Sequence, residues 1–245
     1  MGVKKNYIVF LIIIFGLQNK VISQNMVNQD SIYKDLVLGK FNYKNNNLFV
    51  KANPIHTSKT IYLNNEVYIA FVDMYKQAKA DGIDLKIISG TRNFTEQKTI
   101  WERKWNKYKN LQPFDRAKKI LEYSSMPTTS RHHWGTDIDL NSLSNTYFEH
   151  GKGKKEYEWL IKNAHAFGFY QVYTNKETGR TGYNLEKWHW SYMPLASKYL
   201  NYYNTNINYI DITNFEGSEL AEKLNIIPGY VNGISEEAKN AILTD

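Results

Sequence analysis

Residues 130–139 read SRHHWGTDID, and this stretch decides how the centre of the chain folds. Acidic and apolar residues alternate at its end, which predicts a short strand with Asp137 and Asp139 on one face. Gly135 allows the chain to turn just before that strand. His132, on the loop before the turn, can therefore converge with Asp139 on a single ion.

A second stretch, residues 186–189, reads EKWH and leads into another predicted strand at 188–192. His189 would contribute a third donor from this neighbouring strand. Two imidazoles, one carboxylate and an open position for water form the ligand set of a catalytic zinc site. The sequence therefore predicts one Zn²⁺ ion bound by His132, Asp139 and His189.

Glu186 lies three residues before His189 in this second stretch. On a regular strand that odd spacing would place the two side chains on opposite faces. We therefore expect Glu186 in the turn before the strand, from where its carboxylate can take a proton from a water that the metal activates. The alternative is an ion pair between Glu186 and Lys187 or an arginine.

A third stretch, residues 89–92, reads SGTR and follows a predicted strand. An arginine at the end of a strand can stabilise an oxyanion or hold a substrate carboxylate in a bidentate fork. Gln97 lies on the helix that follows. The alternative is that Arg92 is an ordinary surface residue at a helix start.

The three stretches, in this order, resemble the LAS group of metallopeptidases (lysostaphin, D-Ala-D-Ala metallopeptidase, hedgehog), in particular its D-alanyl-D-alanine carboxypeptidase and dipeptidase branch. That family carries an SG-x-R segment with a downstream Gln, an S-x-H-x-x-G-x-x-x-D segment and an E-x-x-H segment. Here these segments are residues 89–92 with Gln97, residues 130–139 and residues 186–189. The likeness extends over roughly residues 60–195.

Carried over position by position, the resemblance implies the same zinc ligands, His132, Asp139 and His189. It also implies an α+β fold in which helices flank a small antiparallel sheet, as in hedgehog-like and DD-peptidase proteins.

The resemblance further implies roles for residues around the metal. Glu186 would be the catalytic base and Arg92 would stabilise the developing oxyanion. Ser130 and Gln97 would help to hold the substrate.

The chain departs from the family pattern at Asp137, where the family often has a small residue such as Ala. Asp137 either orients a ligand histidine from behind or competes with Asp139 as the ligand. His133 is a second ambiguity because it lies next to His132. Adjacent side chains diverge, so one of the two histidines should bind the metal, and the family spacing favours His132.

The remaining pattern mixes helices and short strands without βαβ regularity, which favours the α+β class. The predicted strands are residues 85–88, 137–140, 167–173 and 188–192. The predicted helices begin at Asn64 or Asn65, at Asn93 with a capping-box glutamate at Glu96, at about 115 and at about 154. We expect the last two helices to end near 124 and 166, with the lysine-rich residues 151–155 as a solvated loop.

The chain has 245 residues, of which 42% are hydrophobic, and this composition is typical of a packed globular protein. Residues 1–23 resemble a secretory signal, since two lysines precede an apolar run that is too short to span a bilayer. An uncleaved N-terminal anchor is the alternative. After it we expect an N-terminal wrapping segment at 24–60, a zinc peptidase domain at 61–205 and a C-terminal appendage at 206–245.

The formal net charge is +7, and loss of the three lysines in or beside the signal segment would leave about +4. This modest charge suits an anionic surface such as a cell wall and is too weak and scattered for nucleic acid. The absence of cysteine excludes a disulfide framework. We expect an exported monomer in the periplasm, cell envelope or extracellular space, without a stable membrane span after signal cleavage.

Three functions remain open at this point. The first is a secreted zinc D,D-carboxypeptidase that removes the terminal D-Ala from peptidoglycan stem peptides. The second is a related peptidase: an endopeptidase on cross-links or the L-Ala–D-Glu bond, or a D-Ala-D-Ala dipeptidase, against which export argues. The third is a non-catalytic metal-containing wall-binding module, against which Glu186 argues because a structural zinc is closed by four ligands. We expect the loops at 105–129 and 141–153 to decide the bond choice.

Overall fold

The computed structural model of the chain describes residues 30–243. The predicted signal segment at 1–23 lies outside these residues. Within the described part, no helix has the length and apolarity needed to cross a membrane.

Six short strands form two antiparallel sheets in the described part of the chain. Their bounds are β1 Phe49–Lys51, β2 Tyr62–Asn64, β3 Ile87–Ser89, β4 Asp137–Leu140, β5 Phe169–Gln171 and β6 His189–Tyr192. β1 pairs with β2, and the other four form a sheet in the order β3-β4-β6-β5. This architecture confirms the predicted α+β class with a small antiparallel sheet.

The register of the central sheet places the predicted donors together. Asp139 on β4 lies opposite His189 on β6, and Ser89 at the end of β3 lies on the other side of Asp139. Residues directly opposite each other in an antiparallel pair project to the same face of the sheet. The strand pairing alone therefore brings the second and third stretches to the first.

Helices flank this sheet. Their bounds are α1 Asn65–Ala80, α2 Phe94–Lys107, α3 Pro113–Ile120, α4 Gly151–Asn163, α5 Met193–Asn206 and α6 Glu236–Leu243. The side chain of Asn64 caps α1, and Asn93 forms a reciprocal capping box with Glu96 at the start of α2. Both predicted helix starts are confirmed, because these side chains satisfy backbone amides that the helix leaves free.

Several predicted boundaries were wrong, including the end of α4, which is Asn163 instead of about 166, and the strand β3, which is Ile87–Ser89 instead of 85–88. α3 ends at Ile120, four residues before the expected end, and β5 covers three residues instead of seven, because Gly168 with φ +80° closes a 3₁₀ turn just before it. The expected loop at 151–155 is instead the first turn of α4. Gly153 is buried there, and a Cβ atom on it would collide with Tyr147. The two glycines and three lysines of this stretch resemble a loop in sequence, but Gly153 is required because it packs closely against Tyr147.

Segments from both ends of the described chain contribute to the hydrophobic core. Trp134 donates an indole hydrogen bond to the carbonyl of Val37 over 3.1 Å. Beyond residue 206, the buried core side chains are Ile207, Ile212, Phe215, Ala221, Leu224, Ile226, Val231, Ile234 and Ala238. The hydroxyl of Ser235 donates to the carbonyl of Gln171 on β5. The functional division of the chain at residues 60 and 205 stays a prediction.

Gly135→Ala should destabilise the fold more than Gly82→Ala does. Both glycines have positive φ angles, +71° and +75°, so alanine costs about 1–2 kcal/mol at either position. At Gly135 the added methyl group would also collide with the Phe49 ring, whereas nothing lies within 4 Å at Gly82. We expect urea unfolding to show an additional loss of about 1–3 kcal/mol for Gly135→Ala. Equal losses for the two variants would contradict this packing argument.

Candidate metal centre and cleft

A cleft of about 480 Å³ contains most of the predicted site residues. Its lining includes the following predicted residues: Arg92, Gln97, His132, Asp139, Glu186 and His189. Strands β4 and β6, the start of α2 and the turn before β6 all contribute to it. The structure therefore brings together residues that are nearly one hundred positions apart in the chain.

The deepest part of the cleft holds a possible metal centre. One ligand atom from each of His132, Asp139 and His189 lies within 4.8 Å of the other two, and all three side chains are buried. His132 Nε2 lies 3.5 Å from Asp139 Oδ2, and His189 Nδ1 lies 3.1 Å from Asp139 Oδ1. No other group of three possible ligands was found among the described residues.

A backbone carbonyl orients His132. The Nδ1 atom of His132 lies 2.8 Å from the carbonyl oxygen of Gly90. Because a carbonyl oxygen only accepts, Nδ1 carries the proton and Nε2 keeps a lone pair that can bind a metal ion. A Cβ atom at Gly90 would lie 2.7 Å from Ile61, so glycine allows the close approach of this backbone.

Asp137 orients His189 from the opposite side. The Nε2 atom of His189 lies 2.8 Å from Asp137 Oδ2, so Nδ1 faces the other two donors. The Asp137 carboxylate also accepts hydrogen bonds from Arg131 Nε at 3.0 Å, Thr136 Oγ1 at 2.7 Å and Ser191 Oγ at 2.8 Å. This geometry favours the first role considered for Asp137, a partner behind a ligand histidine, over direct ligation.

The charges of this cluster fit a divalent cation. Burial lowers the pKa of His189, but the hydrogen bond to Asp137 and the negative charges of Asp137 and Asp139 outweigh it and raise that pKa to about 10. Burial raises the pKa of Asp139, but the two histidines hold it well below its usual range. Asp139 Oδ1 has no hydrogen-bond partner of ordinary geometry in the described part. A cation placed beside Asp139 Oδ1 would therefore be stabilised by the negative charges of Asp137 and Asp139.

Glu186 lies in the segment just before β6, as expected, and its Oε2 atom is 3.5 Å from His189 Nδ1. Its side chain is buried, and burial is the main reason that its pKa is raised to about 8. Lys187, the alternative partner, pairs instead with Glu149 at 3.7 Å. Glu186 is thus a cleft carboxylate beside the three donors.

Arg92 is anchored within the cleft wall. Its Nε donates to Gln97 Oε1 at 3.1 Å and its Nη1 donates to Ser89 Oγ at 2.6 Å. Gln97 in turn donates to the carbonyl of Ser125 at 2.8 Å. Burial lowers the pKa of Arg92, and the negative charges of Asp139 and Glu186 oppose this effect. Arg92 is therefore a cation directed at the metal centre rather than an ordinary surface residue.

Two other residues from the first stretch lie outside the cleft lining. The Ser130 side chain is buried and is not part of the lining, and its expected contact with substrate stays a prediction. The ring of His133 bridges the carbonyl of Arg92 at 2.7 Å and the amide of Thr128 at 3.2 Å. Burial lowers the pKa of His133 to about 3, and both ring nitrogens have backbone partners. His133 is a neutral packing residue outside the metal centre.

Several cleft residues had not been predicted from the sequence. Tyr173, Tyr183 and Lys104 all line the cleft, and the Tyr173 ring lies 4.6 Å from the His189 ring. Tyr173 ends the predicted strand at 167–173, where the pattern gave no sign of a role in the site, and Tyr183 comes from an irregular segment. Lys104 did carry a signal, since it follows Gln97 by seven residues and so shares its helix face.

The family model described as "VanY: D-alanyl-D-alanine carboxypeptidase" matches residues 60–195, more than half of the chain. A D-alanyl-D-alanine carboxypeptidase of Enterococcus faecalis (strain ATCC 700802 / V583) is 30% identical over 128 residues, which are 51% of this chain and 46% of the relative. Another, from Enterococcus faecium, is 26% identical over 174 residues, 71% of this chain and 50% of the relative. The chain spans about half the length of these curated relatives. The match confirms the resemblance seen in the three stretches.

A solved structure with the same fold is that of the LD-carboxypeptidase LdcB, described in connection with peptidoglycan recognition. It is 20% identical, covers 83% of this chain and 80% of its own, and has a TM-score of 0.52. At this identity the likeness supports the fold alone.

Replacing Asp137 by Ala together with Arg131 by Met should weaken Zn²⁺ binding about 10–100-fold, because it removes the carboxylate that orients His189. The double change avoids leaving either charge buried without its partner. Isothermal titration with Zn²⁺ measures the effect, and thermal unfolding checks the fold.

The control is Arg131→Met alone, in which Asp137 loses one partner but keeps its hydrogen bonds to His189, Thr136 and Ser191. It keeps the hydrogen bond between Asp137 and His189, so we expect it to bind Zn²⁺ more tightly than the double variant. An unchanged zinc affinity in the folded double variant would show that Asp137 has no part in metal binding.

Proposed function

The chain belongs to the D-alanyl-D-alanine carboxypeptidase (VanY) family, and on that premise we propose that it is a secreted zinc D,D-carboxypeptidase that removes the terminal D-Ala from peptidoglycan stem peptides. The observation that carries the proposal is the buried group of His132, Asp139 and His189 with the Glu186 carboxylate 3.5 Å from His189. Export rests on the expected signal segment at 1–23.

The donor set supports zinc in particular. Two imidazoles and one carboxylate are common zinc ligands, and three protein ligands leave a position open for reactants. A zinc ion held there supplies Lewis acidity to the attacking water and the scissile carbonyl. A closed structural site would need a fourth protein ligand, whereas the group found among the described residues has three members.

Glu186 and Arg92 divide the remaining chemistry. Glu186 takes a proton from the attacking water while the oxygen of that water bonds to the carbonyl carbon. When the carbon–nitrogen bond breaks, Glu186 returns that proton to the leaving amine, so the products are a shortened peptide and free D-Ala. Arg92 donates hydrogen bonds to the carbonyl oxygen as negative charge develops on it. Gln97 and Ser89 hold the guanidinium in place for this task.

Loop residues and aromatic side chains form part of the cleft walls. Residues 123–125 and 143–146 line the cleft, and they belong to the two loops that we expect to decide the bond choice. Tyr123 and Trp188 lie with ring centroids 6.3 Å apart on this wall. Aromatic side chains of this kind give apolar contact area for small side chains such as the methyl group of alanine.

Glu186→Gln should lower turnover of a muropeptide pentapeptide about 10²–10⁴-fold, because the amide cannot accept the proton of the attacking water. Mass spectrometry after incubation with zinc-loaded protein measures the loss of one terminal Ala. Glu177→Gln is the matched control, since it removes an exposed glutamate from the loop region before the site. It should cleave at the wild-type rate.

The same assay should include a cross-linked dimer. Cleavage of the dimer alone, or within the stem, would replace the proposal by an endopeptidase. Zinc binding without cleavage of either substrate would favour a binding module, and wild-type turnover by Glu186→Gln would contradict the proposed mechanism.

A further inference from the structure

One face of helix α2 forms a wall of the cleft. Gln97, Ile100 and Lys104 all line it, and their spacing of three and four residues places them on the same side of the helix. Arg103 lies beside them at the exposed rim. The wall begins at Gln97, which holds Arg92, and continues along the helix to the ammonium group of Lys104.

The ammonium group of Lys104 is held by a neutral partner. Its Nζ atom donates to Ser124 Oγ over 2.6 Å. The next residue, Ser125, accepts the hydrogen bond of Gln97, so Lys104 and Arg92 are linked through neighbouring residues. Burial lowers the pKa of Lys104, and the negative charge of Glu186 opposes this effect. Within residues 30–243, no carboxylate forms an ion pair with Lys104 at 4.0 Å or less.

The cleft carries more positive than negative charge. Its lining contains three cationic side chains, Arg92, Arg103 and Lys104, and two anionic ones, Asp139 and Glu186. A divalent cation in the metal centre would increase this excess. Such a cleft attracts anionic peptides.

Arg92 and Lys104 suit two different negative groups. Arg92 is directed at the metal centre, where charge develops on the scissile carbonyl. A carboxypeptidase substrate has a second negative group, its free terminal carboxylate, one residue beyond that carbonyl. Consecutive Cα atoms are about 3.8 Å apart, so a second cation must lie close to Arg92 to reach this carboxylate. Lys104 fits this position because it is linked to Arg92 through Ser124, Ser125 and Gln97.

We propose that the ammonium group of Lys104, positioned by Ser124, binds the free C-terminal carboxylate of the peptide substrate and thereby restricts the site to exopeptidase cleavage. This inference rests on the proposed function and extends it, because it assigns the preference for chain ends to one side chain. An ion pair in this partly buried wall is screened less than one on the surface.

The test compares two peptides that differ only at the end: one with a terminal D-Ala-D-Ala acid and one with the corresponding amide. The wild-type protein should cleave the acid with a kcat/KM about 10–100-fold higher, as expected for a hydrogen bond to a charged group. Lys104→Met should lose this preference, because it slows acid cleavage, mainly through a higher KM, much more than it slows amide cleavage. Lys104→Arg should restore part of the preference.

Lys107→Met is the matched control, because Lys107 lies on the same helix but outside the cleft lining. It removes the same charge and should keep the wild-type ratio of acid to amide cleavage. Thermal unfolding of each variant checks that the fold is intact.

Other outcomes would overturn the assignment. An acid preference that persists in Lys104→Met would place the terminal carboxylate elsewhere, and an equal slowing of both peptides would give Lys104 a general structural role. A third peptide, amidated at an internal carboxylate instead, tests the other source of negative charge. If amidation of the internal carboxylate, and not of the chain end, slows cleavage in a way that depends on Lys104, then Lys104 binds the internal carboxylate. A wild-type protein that cleaves none of the peptides would reject the proposed function itself.

Discussion

The antiparallel register between β4 and β6 is the constraint on which the site depends. It places Asp139 opposite His189 and, two positions along, Asp137 opposite Ser191. A slip of one residue would turn every one of these side chains to the other face of the sheet. The ligand pair and the hydrogen bonds behind it are therefore fixed by a single set of backbone contacts. Ile138, between the two aspartates, is fully buried on the opposite face, so hydrophobic packing holds this register.

A buried charge network supports the register from behind. Asp137 is fully buried and shares its two oxygens among an arginine, a histidine and two hydroxyl groups. The guanidinium of Arg131 also lies 4.7 Å from the ring of Trp134. Removing one partner from such a buried pair costs about 3–5 kcal/mol, because the other charge is left without compensation. In this chain Arg131 and Asp137 are therefore best understood as one unit.

The sequence predicted the parts of the site that depend on local pattern. Alternation at 137–140, the turn before His189 and the capping box at Asn93 each follow from the chemistry of a few neighbouring residues. The three donors were found in this way, and so was the class of fold. The role of Asp137 could not be chosen from the sequence, because the spacing along the strand allows it either to orient a ligand histidine or to bind the metal in place of Asp139.

The parts that were missed depend on tertiary contacts. Tyr183 reaches the cleft from an irregular segment, and Tyr173 reaches it from the end of the predicted strand at 167–173, where no pattern marks a site residue. Ser130 has the family spacing, but its buried side chain is not part of the cleft lining, so its role with substrate stays a prediction. The start of α4 was missed because a glycine that packs closely and a glycine that bends a loop look the same in sequence.

Residues beyond 206 support helix α2, and this limits where the chain can be shortened. Trp101 of α2 donates its indole hydrogen bond to the carbonyl of Glu216, and a Cβ atom on Gly217 would lie 2.6 Å from the ring of Trp105. The helix that forms the cleft wall thus rests on a segment beyond the matched region at 60–195. A chain cut at residue 195 would retain all three metal donors but expose two tryptophans to water. The recognisable catalytic region is smaller than the unit that folds.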